Sequence, residues 1–344
     1  MKTVHSNRHR SHNGQTELAN GKILPGNDSP ERAERILAAL EHHAIGPVIE
    51  PQRHDLASIQ RIHPAGYLSF LQGVWPRWRD EGHTGPAMAS VWHTDNFPRE
   101  RNSTSIVAAL GQHSFDGAAS IVEGTFDAAA ASIDVALTSA DLLINGDRAA
   151  FALCRPPGHH AGAAYMGGYC YLNNAAAAAQ RFLENARASR ISILDVDYHH
   201  GNGTQDIFYH RADVQVLSLH GDPSGEYPYF SGFTDETGAR EGQGYNFNAP
   251  LPPGTDWDAW RNAFDLASQH IDRYGPDVLI VSLGVDTYES DPIGRFLLKS
   301  EDFLSLGKRI AGLNRPTLFV MEGGYATDAI GTNVANVLRG FLGG

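Results

Sequence analysis

Ile191-Ser-Ile-Leu-Asp-Val-Asp-Tyr-His-His-Gly201 decides the reading of this chain. An apolar, β-rich run ends by delivering two carboxylates and an imidazole from one edge. In an extended strand residues i and i+2 share a face, so Asp195, Asp197 and His199 line up on one side, with Val196 and Tyr198 on the other. Two hard oxygen donors beside a nitrogen donor make half of a divalent-metal site. The competing reading is a capped strand end with one hydrogen-bonded histidine.

Three further runs repeat the pattern. Phe151-Ala-Leu-Cys-Arg-Pro-Pro-Gly-His-His160 is an apolar strand ending in adjacent histidines. Val278-Leu-Ile-Val-Ser-Leu-Gly-Val-Asp286 ends in a carboxylate, and Thr317-Leu-Phe-Val-Met-Glu-Gly-Gly-Tyr325 ends in a Gly-Gly turn and a tyrosine. Open α/β sheets bind ligands outside the carboxyl ends of their strands. Four runs that each deliver a reactive group there point to one shared site. Helical periodicity spans Ser29 to His43, Ala57 to Gly73 with Pro64 as an interruption, Gly124 to Asn145, and Asn173 to Asn185. From residue 190 onward strands alternate with helices over Asp256 to Tyr274, Ser300 to Leu313 and Ile330 to Phe341. That alternation predicts an α/β fold: a central, mostly parallel sheet with helices on both faces. The chain reads as a single domain over 1–344, without internal repeat or linker. Its unusual stretch is 73–115, which holds Trp75, Trp78, Trp92, Phe97 and Phe115 with several Gly and Pro and little periodicity. So long an irregular segment is normally functional.

Composition excludes several function classes. The 344 residues carry a net charge of −12, against the clustered Lys and Arg that nucleic acid requires. No run of about 18 apolar residues appears, so no membrane span is expected. The opening Met1-Lys-Thr-Val-His-Ser-Asn-Arg-His-Arg10 has no apolar stretch of the secretory kind. Cys154 and Cys170, the only cysteines, read as buried reduced thiols of a cytoplasmic protein, with a single disulfide as the alternative.

Together Arg-Pro-Pro-Gly-His159-His160, Asp195-Val-Asp197-Tyr-His199-His-Gly-Asn202-Gly, Gly-Val-Asp286 and Glu-Gly-Gly-Tyr325 resemble the arginase/deacetylase superfamily. More narrowly the chain is similar to class II histone deacetylases and, through its length, its opening Asn13-Gly-Gln-Thr-Glu17 and the long segment, to acetylpolyamine amidohydrolases. The resemblance implies an arginase/deacetylase-like fold and a metal-dependent hydrolysis of an acetyl amide. Asp197, His199 and Asp286 would hold one Zn²⁺ and leave a position open, although such a donor set also accepts Fe²⁺. His160 matches the general base and His159 its electrostatic partner, oriented by Asn202 and Asp195 respectively, while Tyr325 matches an oxyanion donor. Asp286 as a local cap and Tyr325 as a packed loop residue are the duller alternatives. A second metal would need carboxylates at positions 201 and 284, which are both glycine. A structural K⁺ site is implied near Asp195, Asp197, His199, Ser218 and Leu219. His5, His9, His12, His42, His43, His54 and His63 receive no role, and His200 and His220 read as structural.

Substrate expectations rest on fewer residues. Tyr169 and Tyr227 match the aromatic walls of a narrow channel, and Glu17 matches an acid that favours a free ammonium at its mouth; an ordinary exposed glutamate is the alternative. The stretch from Ser103 to Ala119 is nearly free of acids, Asp116 being the exception. This departs from the polyamine-specific pattern and favours shorter monocationic amines such as acetylputrescine and acetylcadaverine. The resemblance also implies a homodimer formed through 73–115. A protein acetyl-lysine deacetylase with the same mechanism is the runner-up, and a non-catalytic binder of acetylated amines the third reading.

Overall fold

The computed structural model describes residues 1–94, 104–185 and 188–343; Phe97 and the start of the acid-poor stretch lie outside them. In chain order its strands are β1 (Lys2–Val4), β2 (Thr16–Ala19), β3 (Lys22–Pro25), β4 (Val48–Ile49), β5 (Ala149–Ala152), β6 (Ile191–Asp195), β7 (Val214–Gly221), β8 (Asn246–Leu251), β9 (Val278–Leu283) and β10 (Thr317–Met321). The α-helices are α1 (Pro30–His42), α2 (Ala65–Asp80), α3 (Ile106–Gln112), α4 (Thr125–Ile144), α5 (Asn174–Glu184), α6 (Asn202–Phe208), α7 (Trp257–Tyr274), α8 (Ser300–Gly312) and α9 (Thr327–Leu342). Eight strands form one sheet in the order β4-β1-β5-β10-β9-β6-β7-β8, every pairing parallel. β2 and β3 form a separate antiparallel hairpin.

Parallel strands buried on both faces read as continuous apolar runs, and the pleat divides each run between two cores. Phe151, Leu194, Leu217, Val281 and Phe319 pack on one side with Trp260, Phe264, Phe303, Ile330 and Val334 from α7, α8 and α9 and with Ile36 and Leu40 from α1. Ala150, Ile193, Val216, Ile280 and Leu318 face the other way, against the alanine-rich surfaces of α4 and α5. Burying one such Phe or Leu stabilises the fold by roughly 1.5–3 kcal/mol. A third cluster adds α2 and α3 outside α4, through Tyr67, Leu71, Val74, Ile106 and Leu110.

The four strands singled out by their endings, β5, β10, β9 and β6, stand side by side at the centre of the sheet. Because all run parallel, their carboxyl ends open on one edge. Helix boundaries follow local chemistry: Asn173 accepts from the Ala176 N–H at the start of α5, Asp256 from Ala259 at the start of α7, and Gly275 closes α7 in the left-handed region. One reading needs revision. Residues 73–80, taken as irregular, continue α2 despite Pro76, because Tyr67, Leu68, Leu71 and Val74 keep burying the same helix face. α3 supplies further order within the same segment. The β2–β3 hairpin, with its exposed Leu18, Ile23 and Leu24, was not expected from the sequence.

Candidate active site

At the sheet's open edge Asp197, His199 and Asp286 bring one donor atom each within 4.8 Å of the others, all buried. Nδ1 of His199 lies 2.9 Å from Asp286 Oδ2 and 3.4 Å from Asp197 Oδ1. Backbone donors from neighbouring strands fix the carboxylates: the Tyr198 N–H donates to Asp286 Oδ1 at 2.7 Å, and the Gly323 N–H to Asp197 Oδ2 at 2.8 Å. Space around them is set by glycines. A Cβ at Gly284 would stand 2.0 Å from Asp197 Oδ2, and one at Gly201 would stand 2.3 Å from Asp195 Oδ2. One at Gly323 would fall 2.5 Å from Asp197 Oδ2 and 2.7 Å from Asp286 Oδ2. Burial resists charge on His199, but hydrogen bonds to Asp197 and Asp286 hold its imidazole up to about 10. Burial and the Asp197 charge push Asp286 up to about 7. A divalent ion would take the place of the proton these groups share, and the Asp₂His donor set fits Zn²⁺ or Fe²⁺.

Beside the cluster sit the tandem histidines, with ring centroids 4.0 Å apart. His159 Nδ1 meets Asp195 Oδ2 at 3.0 Å, and its Nε2 lies 3.9 Å from Asp197 Oδ1. His160 Nδ1 meets Asn202 Oδ1 at 2.7 Å. The same pair of residue types in different surroundings diverges. Burial opposes charge on His159, yet Asp197 and Asp195 overcome it and hold its pKa up to about 10. Burial, reinforced by His159 and His199, drives His160 well below the usual histidine range. Because an amide oxygen accepts, His160 carries its proton on Nδ1 and presents a basic Nε2.

Tyr325 follows the Gly323-Gly324 turn, where its backbone N–H donates to Asp291 Oδ2 at 2.7 Å. Arg32, from the first turn of α1, was not foreseen here. Its guanidinium stacks 4.7 Å from the Tyr325 ring centroid and donates to the carbonyls of Glu322 and Gly324. Asp28, fully buried, bridges Arg32 to Arg155, while Arg155 also donates to the carbonyls of His9 and His12. Charged neighbours on α1, Glu31, Glu34 and Arg35, gave Arg32 the look of a solvated helix residue. Glu322, in the Glu-Gly-Gly-Tyr325 motif, holds a supporting position that its sequence context does not disclose. Its Oε2 accepts the N–H groups of Gly158 and His159 at 2.7 and 3.1 Å, pinning the tandem-histidine turn from below.

The predicted channel residues converge from separate loops. Tyr227 meets His160 edge-on at 5.0 Å, and Tyr169 meets Tyr325 at 5.6 Å. Tyr169 sits at φ +64, a costly conformation for a bulky residue that persists only where its surroundings impose it. Here the Gly167–Cys170 bridge and a hydrogen bond from the Tyr169 hydroxyl to Glu17 do so. Asn27 donates to the same hydroxyl at 3.3 Å. Asp116 is committed elsewhere: its Oδ2 accepts from the Tyr227 hydroxyl at 2.6 Å and from the Gly168 N–H at 2.9 Å. Ser218 pairs in register with Asp195, whereas the hydroxyl of Ser218 turns to His220 at 2.8 Å. His5, His9, His12 and His63 are buried, and both cysteines are buried and unpaired.

Residues 27–341 match the histone deacetylase domain family. Acetylpolyamine amidohydrolase 1 of Pseudomonas aeruginosa is 52% identical over 344 residues, covering 100% of this chain and 99% of that protein. The acetylpolyamine amidohydrolase of Mycoplana ramosa is 46% identical over 347 residues, with both chains covered completely. The crystal structure of the acetylpolyamine aminohydrolase from Burkholderia pseudomallei superposes with a TM-score of 0.93 at 40% identity, covering 99% of this chain and 98% of that one. The chain belongs to the histone deacetylase domain family, on the branch of the bacterial acetylpolyamine amidohydrolases.

Proposed function

We propose that this enzyme hydrolyses the acetyl amide of small acetylated diamines, such as acetylputrescine and acetylcadaverine, to acetate and the free amine. The observation that carries the reading is the placement of a neutral-biased and a charge-biased histidine against one Asp₂His cluster. Asp197, His199 and Asp286 would hold a single Zn²⁺, with Fe²⁺ as the alternative. When bound, such an ion supplies Lewis acidity to the amide carbonyl and to water. His160 takes the proton of the attacking water at Nε2, its Nδ1–H being held by Asn202. His159, kept protonated by Asp195, offers positive charge and a proton beside the departing amine. Tyr325 donates its hydroxyl to the oxyanion, with Arg32 stacked behind the ring.

Substrate choice is argued from the entrance. Tyr169 and Tyr227 flank the catalytic residues as walls for an aliphatic chain. Glu17 is the acid held at the wall, by the Tyr169 hydroxyl and Asn27, whereas Asp116 is bonded into the wall itself. One available carboxylate matches one distal ammonium. Comparing kcat/KM for N-acetylputrescine, N-acetylcadaverine, acetylspermidine and an acetyl-lysine peptide tests this. Preference for the small amines is expected; preference for the peptide would replace this reading with a protein deacetylase.

Three further assignments belong to the same proposal. A structural K⁺ at Asp195, Asp197, His199, Ser218 and Leu219 draws support from the adjacency of β6 and β7. A homodimer through 73–115 draws support from exposed Val91 and half-buried Trp75, Trp78 and Trp92; a monomer by light scattering would remove it. Cytoplasmic residence is consistent with two unpaired thiols and with the absence, among the described residues, of a helix long and apolar enough to cross a membrane.

A further inference from the structure

Among the described residues a second trio brings metal-binding atoms within 4.8 Å of one another: His159, Cys170 and Glu322. They come from three places, the tandem-histidine turn, the Gly-Gly-Tyr-Cys turn and the end of β10. His159 is 3% exposed and the other two are 0%. The proposed mechanism uses His159 alone of the three. Glu322 spends Oε2 on two backbone N–H groups, while Oε1 has a single long contact, 3.5 Å from the Ser282 hydroxyl. Burial and the neighbouring Glu322 charge push the Cys170 thiol well above its usual range, only partly offset by a backbone hydrogen bond from His160, so an ion there would have to displace the thiol proton. His159 contributes one ring nitrogen to the trio, and its Nδ1 also meets Asp195.

Thiolate, imidazole and carboxylate form a mixed set that selects borderline-soft divalent ions such as Zn²⁺, Co²⁺ and Cd²⁺ over Mg²⁺ or Ca²⁺. Tetrahedral bonds of about 2.0–2.3 Å place donors roughly 3.3–3.8 Å apart, so the trio closes by about 1 Å at its widest to grip such an ion. We propose that His159, Cys170 and Glu322 form a second cation site, of lower affinity than the Asp₂His cluster, whose filling withdraws His159 from the reaction. Binding replaces the thiol proton, which is released together with any proton held on Glu322 or on the ligating nitrogen of His159. Excess soft metal therefore competes with turnover. The inference rests on the proposed function only for its activity readout.

Cobalt distinguishes the two sites, because the Asp₂His cluster contains no sulfur and Cys154 and Cys170 are the only cysteines. Enzyme loaded with one equivalent of zinc is titrated with Co²⁺, following the ultraviolet thiolate-to-cobalt charge-transfer band and hydrolysis of N-acetylputrescine. The band should grow with the second equivalent in the natural chain and in Cys154→Ala, be absent from Cys170→Ala, and require about tenfold more cobalt in Glu322→Gln. Hydrolysis should fall in step with the band. No band, a band that persists in Cys170→Ala, or unchanged cobalt affinity in Glu322→Gln would each overturn the site. Should Cys170→Ala fail to fold, the Cys154→Ala and Glu322→Gln titrations decide. A band in a protein without amidohydrolase activity would sustain the site while removing the proposed function.

Discussion

The floor and the entrance of this site are built by different means. Floor residues stand at the carboxyl ends of four adjacent parallel strands. Backbone donors on neighbouring strand ends hold their carboxylates, as Tyr198 holds Asp286 and Gly323 holds Asp197. At the entrance, Glu17 comes from β2 and Asn27, Asp116, Tyr169 and Tyr227 from loops, and they hold one another largely through side chains, as in the 2.6 Å bond from Tyr227 to Asp116. Exposed Leu18, Ile23, Leu24 and Phe230 lie on the same hairpin and loop. A sheet fixes positions for the chemistry, whereas loops can change what reaches it without disturbing that chemistry.

Asp286→Ala attacks the floor most severely. It strips partners from His199 and the Tyr198 N–H, so loss of metal affinity should exceed the roughly 100-fold cost of losing an outer hydrogen-bond partner. Metal analysis after dialysis checks this; retained stoichiometric zinc would reject the ligand set. Tyr325→Phe should keep the metal while turnover falls about 10²–10³-fold, and equal turnover would show the oxyanion donor lies elsewhere. Changes at the entrance should behave differently. For Glu17→Gln, KM for N-acetylputrescine should rise about tenfold, the equivalent of roughly 1.4 kcal/mol, with kcat nearly constant. The neutral analogue N-butylacetamide should show no change in KM, and a matching rise for it would deny Glu17 its ammonium.

Stability, as distinct from turnover, should respond to His12, whose carbonyl accepts from Arg155. Burial, with some contribution from Arg155, lowers the His12 pKa to about 3. The folded value lies below the unfolded one of about 6.5, so the stability attached to neutral His12 is complete above that pH. It is lost as pH falls toward 3, at up to about 1.4 kcal/mol per pH unit. Urea unfolding at about pH 7, 6 and 5 should show a shallower loss for His12→Gln; parallel curves would mean that His12 is not buried neutral.

These two regions also differ in how far the sequence disclosed them. Strand-end chemistry is local: an apolar run followed within a few residues by Asp197, His199, Asp286 or Tyr325 reveals both the strand and its cargo. Arg32 and Asp28 act through contacts formed only once α1 packs against the β10 turn, and a charged helical surface around Arg32 concealed that. Asp116 stood out only as the exception in an acid-poor stretch, because its tie to Tyr227 spans 111 residues. Weak periodicity after Gly73 hid the end of α2, which runs on to Asp80 through Pro76 because one helix face stays buried. The motif glycines were legible as turns, yet not as the spacing that admits the carboxylates.

That spacing bears on how such a protein can change over generations. Gly201 and Gly284 are where carboxylates for a second ion would have to arise, yet even a methyl group there would meet Asp195 or Asp197 oxygens at 2.3 or 2.0 Å. Each first step would damage the existing cluster before a second one existed. On the proposed single-ion reading, crowding as much as composition would keep a second ion out of this floor. Diversification has more room at the hairpin rim around Glu17 than at Tyr169 and Tyr227, which pack on Tyr325 and His160.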